Sequence, residues 1–252
     1  MNWLAIEKIS RWLARGRDLT NAIVFPKQCA GCRTRLLDSE SDCDFCSACR
    51  EYTVGSTSFC HRCGAPTRVA LEGTCPECQH FQFDFDRAFA LGWYEGSLKR
   101  WVLQIKQGRE ELAAALGRSL ALHMKSSWNG PPPDAIVPLP RHWLSSLFRR
   151  GHPEQILAEE VARQWNVPCL PHLLWATRWP KKQSQLSIAK RRTNVRKAFA
   201  ANPNQSQKLA GRHIVLIDDV LTTGSTASAM AKALRAAGAK SISVAVIARA
   251  RG

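Results

Sequence analysis

Ile214-Val215-Leu216-Ile217-Asp218-Asp219-Val220-Leu221-Thr222-Thr223-Gly224-Ser225-Thr226 is the stretch that decides the fold. Four apolar residues in succession read as a strand buried on both faces, since such a strand has no polar side. Two adjacent carboxylates, Asp218 and Asp219, stand at its end. Thr222 to Thr226 then bring hydroxyls, one glycine and the opening of a helix. Each piece suits a ribose 5-phosphate. Carboxylates accept hydrogen bonds from the paired ribose hydroxyls. Gly224 permits a turn tight enough for backbone amides to approach a phosphate. Thr and Ser hydroxyls add donors, and a helix N-terminus adds partial positive charge. A Ser/Thr helix cap after an acidic strand end would account for Ser225 or Thr226 alone. It does not account for the whole ordered series.

Working outward from this loop, a helix is expected from about Ser225 to Ala237, ended by Gly238, and a strand from Ser241 to Ala248. Upstream, Ala135 to Leu139 reads as a short apolar strand and Glu154 to Gln164 as a helix. Helical periodicity also runs through Leu98, Trp101, Val102 and Ile105, then Leu112, Leu116 and Leu120, before a break at Pro131 to Pro133. Apolar strands alternating with helices predict an α/β domain whose parallel sheet is flanked by helices. Open sheets of this kind bind ligands at the C-terminal ends of their strands, where Asp218 and Asp219 stand.

The first third has another texture. Four CxxC pairs occur, Cys29/Cys32, Cys46/Cys49, Cys60/Cys63 and Cys75/Cys78. A CxxC turn sets two thiolates on one side of a tetrahedral ion, and two turns complete a four-thiolate site. Thirteen residues separate the first two pairs and eleven the last two, spacings that suit ribbon-like zinc sites. Sequential pairing gives two structural zinc ions, one on Cys29, Cys32, Cys46 and Cys49, the other on Cys60, Cys63, Cys75 and Cys78. Four thiolates leave no open coordination position, which argues against zinc catalysis. Disulfides are disfavoured in a reducing compartment. Cys43 either substitutes for a ligand of the first site or is a free thiol. His61 and His80 read as surface residues and Cys169 as a buried thiol. The boundaries expected are an amphipathic segment over 1–26, a double zinc module over 27–84 and an α/β domain over 85–252.

The 252 residues carry a formal net charge of +16, and Arg141 to Arg212 holds fourteen Lys or Arg against Glu154, Glu159 and Glu160. A surface this basic suits polyanions, or simply a solvated face. Trp143, Trp165, Trp175 and Trp179 lie in the same stretch and offer either stacking surfaces for unpaired bases or core packing. No apolar run approaches the length of a membrane span. The first seventeen residues lack the apolar core and cleavage site of a signal peptide, so the expected location is the cytoplasm.

Over nearly its whole length the sequence resembles the ComF family, a competence-protein branch of the phosphoribosyltransferases that includes GntX-type DNA-utilisation proteins. Four features carry the likeness: the Phe25-Pro26-Lys27-Gln28-Cys29 start with its CxxC pairs; Trp93-Tyr94-Glu95-Gly96 followed by Ile105-Lys106-Gln107-Gly108; Gln183, Leu186, Ser187, Arg191, Asn194, Val195 and Phe199; and the Asp218 to Thr226 loop. The resemblance implies a phosphoribosyltransferase-type sheet behind a zinc-ribbon-like module, acting on single-stranded DNA in natural transformation or nutrition, beside a helicase partner. If the domain is a working transferase, Asp218 and Asp219 are its catalytic candidates, with phosphoribosyl pyrophosphate and Mg2+ as ligands. Thr222, Thr223, Gly224, Ser225 and Thr226 would then hold the 5-phosphate, and Lys106, Arg149 or Arg150 would neutralise pyrophosphate. A non-enzymatic zinc scaffold is the third possibility. One stretch departs from the family pattern: where members carry Arg-Gly-Phe-Asn-Gln, this chain has Arg150-Gly151-His152-Pro153-Glu154.

Overall fold

The computed structural model describes residues 27–40, 42–54, 58–68, 75–140, 152–177 and 198–251. The amphipathic segment 1–26, Arg149, Arg150, Trp143, Trp179 and the Gln183 to Val195 part of the family likeness lie outside the described residues. The chain divides into two compact units, Met1–Arg50 and Glu51–Gly252.

In the larger unit β1 (Arg87–Trp93), β2 (Ala135–Pro138), β5 (His213–Leu221) and β6 (Ser241–Arg249) form one sheet in the order β1-β6-β5-β2. Every neighbouring pair is parallel. Between them come α2 (Gly96–Lys106), α3 (Glu110–Ser126), α4 (Pro153–Trp165) and α5 (Ser225–Ala236). A small antiparallel hairpin joins β3 (Leu174–Ala176) to β4 (Phe199–Ala201). The sheet's residues alternate between two covered faces. Ala88, Ala90, Ile214, Leu216, Ile242, Val244 and Val246 pack with Met230, Ala231 and Leu234 of α5 in one buried cluster. The intervening Phe89, Val215, Ile217 and Ile247 are buried as well, as are Leu112, Leu116, Leu120, Leu157 and Val161 of α3 and α4. This is the α/β parallel sheet flanked by helices that the sequence predicts. Among the described residues no helix is long and apolar enough to cross a membrane.

The Leu98 to Leu120 periodicity belongs to two helices, because the chain turns at Gly108 between them. Strand β5 is longer than its apolar run. It continues through Asp218 and Asp219 to Leu221, since β6 keeps pairing with it as far as Leu221 opposite Arg249. Two carboxylates fix the sheet's N-terminal edge. Asp134 accepts the amide of His213 (2.8 Å) and Arg212 (2.7 Å), and Asp86 accepts the amide of Ile242 (2.8 Å) and Arg235 (2.5 Å). The His213 amide first, and then Arg212, hold the Asp134 carboxyl below the usual range.

The second cysteine quartet belongs to the core of the larger unit. Cys60, Cys63, Cys75 and Cys78 join the same buried cluster as α5, together with Phe83 and Phe85. Gly64 closes the first turn at φ +72°, with its Cα against β1; a Cβ there would lie 3.2 Å from the Phe89 carbonyl carbon. Ala88 of β1 donates its amide to the carbonyl of His61, inside that turn. In the smaller unit, Cys29 and Cys32 form a turn of the same design, followed by Arg33 at φ +66° and by α1 (Ser47–Arg50), which carries Cys49.

Candidate functional site

β5 delivers its acidic pair to the C-terminal edge of the sheet. Asp219 is only 5% exposed and Asp218 half-buried, and Asp218 Oδ1 accepts the Asp219 amide at 2.8 Å. Lys106, from the last turn of α2, places Nζ 2.7 Å from Asp219 Oδ2. Burial works against the Lys106 charge, but Asp219, followed by Asp218, outweighs it and raises the lysine pKa. Burial, then the Asp219 and Glu154 charges, push the Asp218 carboxyl well above the usual carboxylate range. Burial also raises Asp219, although Lys106 opposes it.

The chain then turns into α5. Gly224 is the residue before the helix and takes the left-handed conformation, φ +70°. Thr223 Oγ1 lies 2.8 Å from Ser225 Oγ and accepts the Ser225 amide at 3.4 Å, so two hydroxyls gather at the first turn of α5. Thr222 is exposed, Thr223 and Thr226 half-buried, Gly224 and Ser225 buried. The structure therefore brings Lys106, Asp218, Asp219 and Thr222 to Thr226 onto one edge of the sheet. An acidic pair for hydroxyls and a helix N-terminus rich in donors for an anion are what a sugar phosphate requires.

Three residues of this region escape a reading of the loop alone. Glu154, in the first turn of α4, is 9% exposed and close enough to raise both aspartates. Its one sequence signal is the departure from the family pattern at 150–154. Arg249, at the end of β6, is fully buried and donates to Leu221 and Thr222 carbonyls at the start of the loop. Phe83 sits under Gly224, where a Cβ would come within 2.5 Å of its ring. Phe83 is in turn gripped from the second quartet. Arg62, between Cys60 and Cys63, donates to the carbonyls of Phe83 (2.6 Å), Phe85 and Asp86 (3.2 Å), with its guanidinium over both phenylalanine rings.

The cysteines assemble in sequential pairs. Within Cys29, Cys32, Cys46 and Cys49, and within Cys60, Cys63, Cys75 and Cys78, the sulfurs all lie within 4.8 Å of one another. Contacts of 3.7 Å (Cys32–Cys46), 3.8 Å (Cys60–Cys78) and 3.6 Å (Cys63–Cys75) match the edge of a tetrahedron with zinc–sulfur arms of about 2.3 Å, roughly 3.8 Å. Both donor sets fit zinc. Burial raises the Cys63 thiol, and pushes Cys78 up to about 11. Thr34, by contrast, draws Cys32 down to about 6. Cys43 stands outside the first quartet, with Arg50 Nη2 2.9 Å from its sulfur. His61 and His80 belong to neither quartet. Cys169 is half-buried, beside β2, because its residue bridges to Ile136 at the edge of the sheet. Of the tryptophans, Trp175 is 49% exposed and Trp165 packs edge-on against Trp128.

Sheet, loop and quartets together define a phosphoribosyltransferase-type domain that follows zinc-ribbon turns. Residues 157–252 match the family described as phosphoribosyl transferase domain, and residues 21–79 that described as double zinc ribbon domain. The chain belongs to the ComF family. It is 30% identical over 232 residues to DNA utilization protein YhgH of Salmonella typhi, covering 88% of this chain and 96% of that protein. It is 28% identical over 181 residues to competence protein F of Haemophilus influenzae, covering 70% of this chain and 78% of that protein. Purine phosphoribosyltransferase from Pyrococcus horikoshii superposes with a TM-score of 0.33 at 17% identity, covering 59% of this chain and 73% of that one.

Proposed function

We propose that the chain handles incoming DNA in the cytoplasm and binds a phosphoribosyl ligand at Asp218 to Thr226. The observation that carries the ligand reading is the gathering of Thr223 and Ser225 hydroxyls, Gly224 and the first turn of α5 beside the carboxylate pair of β5. The DNA reading draws on the names of the relatives, competence protein F and DNA utilization protein, and on the basic stretch Arg141 to Arg212. In this account each quartet holds one structural zinc ion, 1–26 is an amphipathic lead-in, and 27–84 and 85–252 are the zinc module and the ligand-binding domain. A helicase of DNA uptake is the kind of partner the family resemblance suggests.

Titration of the chain with phosphoribosyl pyrophosphate and with single-stranded DNA, separately and in competition, tests both halves. Binding of the sugar phosphate that Asp218→Ala with Asp219→Ala abolishes supports the ligand role. DNA affinity that falls steeply with salt supports the basic stretch as its site; an absent or salt-insensitive interaction removes it.

A second reading, active transfer, is favoured by Lys106 and Glu154 converging on the aspartates. Mg2+ would then accompany the pyrophosphate, with Asp218 and Asp219 as catalytic residues on the ribose and Lys106, Arg149 or Arg150 facing the leaving group. Positioning and charge stabilisation would carry the rate. Pyrophosphate release in the presence of candidate bases is the measurement. Zinc scaffolding without any ligand would survive only if neither probe binds.

A further inference from the structure

Arg249 is 0% exposed, and among the described residues it forms no ion pair. Taking a guanidinium out of water without a carboxylate is costly, so what surrounds it carries information. Its Nη1 donates to the carbonyls of Thr222 (2.6 Å), Leu221 (3.0 Å) and Ala250. Among the described residues its Nε and Nη2 have no hydrogen-bond partner. Leu221 and Thr222 head the two peptide units that lead from β5 into the loop.

Those peptides are trans, and in a planar trans peptide the C=O and N–H point in opposite directions. The Leu221 oxygen, which also accepts the Ala250 amide at 2.9 Å, and the Thr222 oxygen are drawn onto one side chain, which turns the N–H groups of Thr222 and Thr223 the other way, side by side. Successive amides aimed together form an anion-binding concavity. The same contact neutralises the two carbonyl dipoles that would repel an anion. Since no carboxylate among the described residues cancels the guanidinium, its charge also adds to the positive potential of the loop.

We propose that Arg249 is a positioning residue for phosphate. From beneath the loop it holds the Leu221 and Thr222 carbonyls inward, so that the Thr222 and Thr223 amides receive the phosphate of the ligand. This rests on the reading of Asp218 to Thr226 as a ribose-phosphate cradle.

The test compares full-length wild type, Arg249→Met and Arg249→Lys, each loaded with zinc, by calorimetric titration with ribose 5-phosphate. Arg249→Met should lose about tenfold or more in affinity. Arg249→Lys should recover most of it, because one atom, Nη1, makes all three bonds and an ammonium has three donors. Amide NMR of the wild type supplies a reading that does not depend on any variant folding: ribose 5-phosphate should shift the Thr222 and Thr223 resonances. Met binding within about threefold of wild type, equal losses in Met and Lys, or unmoved Thr222 and Thr223 amides would each overturn the assignment. A wild type that binds neither ribose 5-phosphate nor phosphoribosyl pyrophosphate would instead remove the cradle itself, and Arg249's role with it.

Discussion

In the quartet Cys29, Cys32, Cys46 and Cys49, Cys32 is exposed and Cys46 half-buried, whereas Cys60, Cys63, Cys75 and Cys78 are all buried. The turns themselves are alike, each closed by a residue with positive φ, Arg33 in one and Gly64 in the other. What differs is the company. The second quartet shares a buried cluster with β1, β5, β6 and α5, and Gly64 leaves the room that the β1 backbone occupies. One ligand set thus serves two ends: the first organises a small unit that has little else to bury, the second is part of a hydrophobic core.

The largest effect should come from breaking the second quartet. Cys63→Ser removes a fully buried ligand and should reduce bound zinc from two ions to one by metal analysis. It should also lower the unfolding midpoint of the larger unit by about 10 °C or more, the cost of an emptied metal site with one ligand missing inside a core. A normal midpoint would show that the core does not need the metal.

Next, Gly64→Ala should lower that midpoint by about 3–10 °C, since it adds left-handed strain to a contact with the Phe89 backbone. Arg33→Gly, at the matching place in the first turn, should be neutral or slightly stabilising. Equal effects at the two positions would erase the distinction between the quartets.

A third change asks whether the larger unit carries a second source of strain. Burial and the neighbouring acids raise the Asp218 pKa in the folded chain, so its ionised form destabilises that state. The penalty is absent below the ordinary carboxylate pKa, about 4, and grows as pH rises above it. Asp218→Asn should therefore raise the midpoint by about 2–4 °C at pH 7. Thermal scans should show the gain shrinking as pH falls toward 4; a gain that grew on acidification would contradict the sign.

The smallest effect on the larger unit should follow Cys32→Ser. Zinc should again fall to one ion, yet the main transition should move by about 1 °C at most. A large shift would mean that the first quartet, too, stabilises the larger unit.

The loop after β5 was legible in sequence because its parts are local: strand, acids, glycine and helix start follow one another within Ile214 to Thr226. The cysteine pairs were legible for the same reason, since ligand spacing is a short-range property. Strand β1 was not. Arg87 to Trp93 reads Arg-Ala-Phe-Ala-Leu-Gly-Trp, poor in β-branched residues, and it becomes a strand through parallel pairing with the distant β6. Nor does spacing tell a buried quartet from an exposed one, because that depends on Phe83, Phe85 and β1, which lie beyond the ligands. Glu154 beside the aspartates and Arg249 beneath the loop are likewise consequences of tertiary placement, visible in sequence only as one altered motif and one ordinary basic residue.

The packing of Phe83 under Gly224 also sets an order of events. Its neighbour Asp84 donates to Ser228, 144 residues further along the chain. During synthesis the cysteine turns and their phenylalanines are made long before β5 and α5 exist to cover them. Zinc in the second quartet would fix those turns early and give the rings something to pack on. The loop from Asp218 to Thr226, made later, closes on Phe83, whose carbonyl Arg62 already holds from within the second quartet.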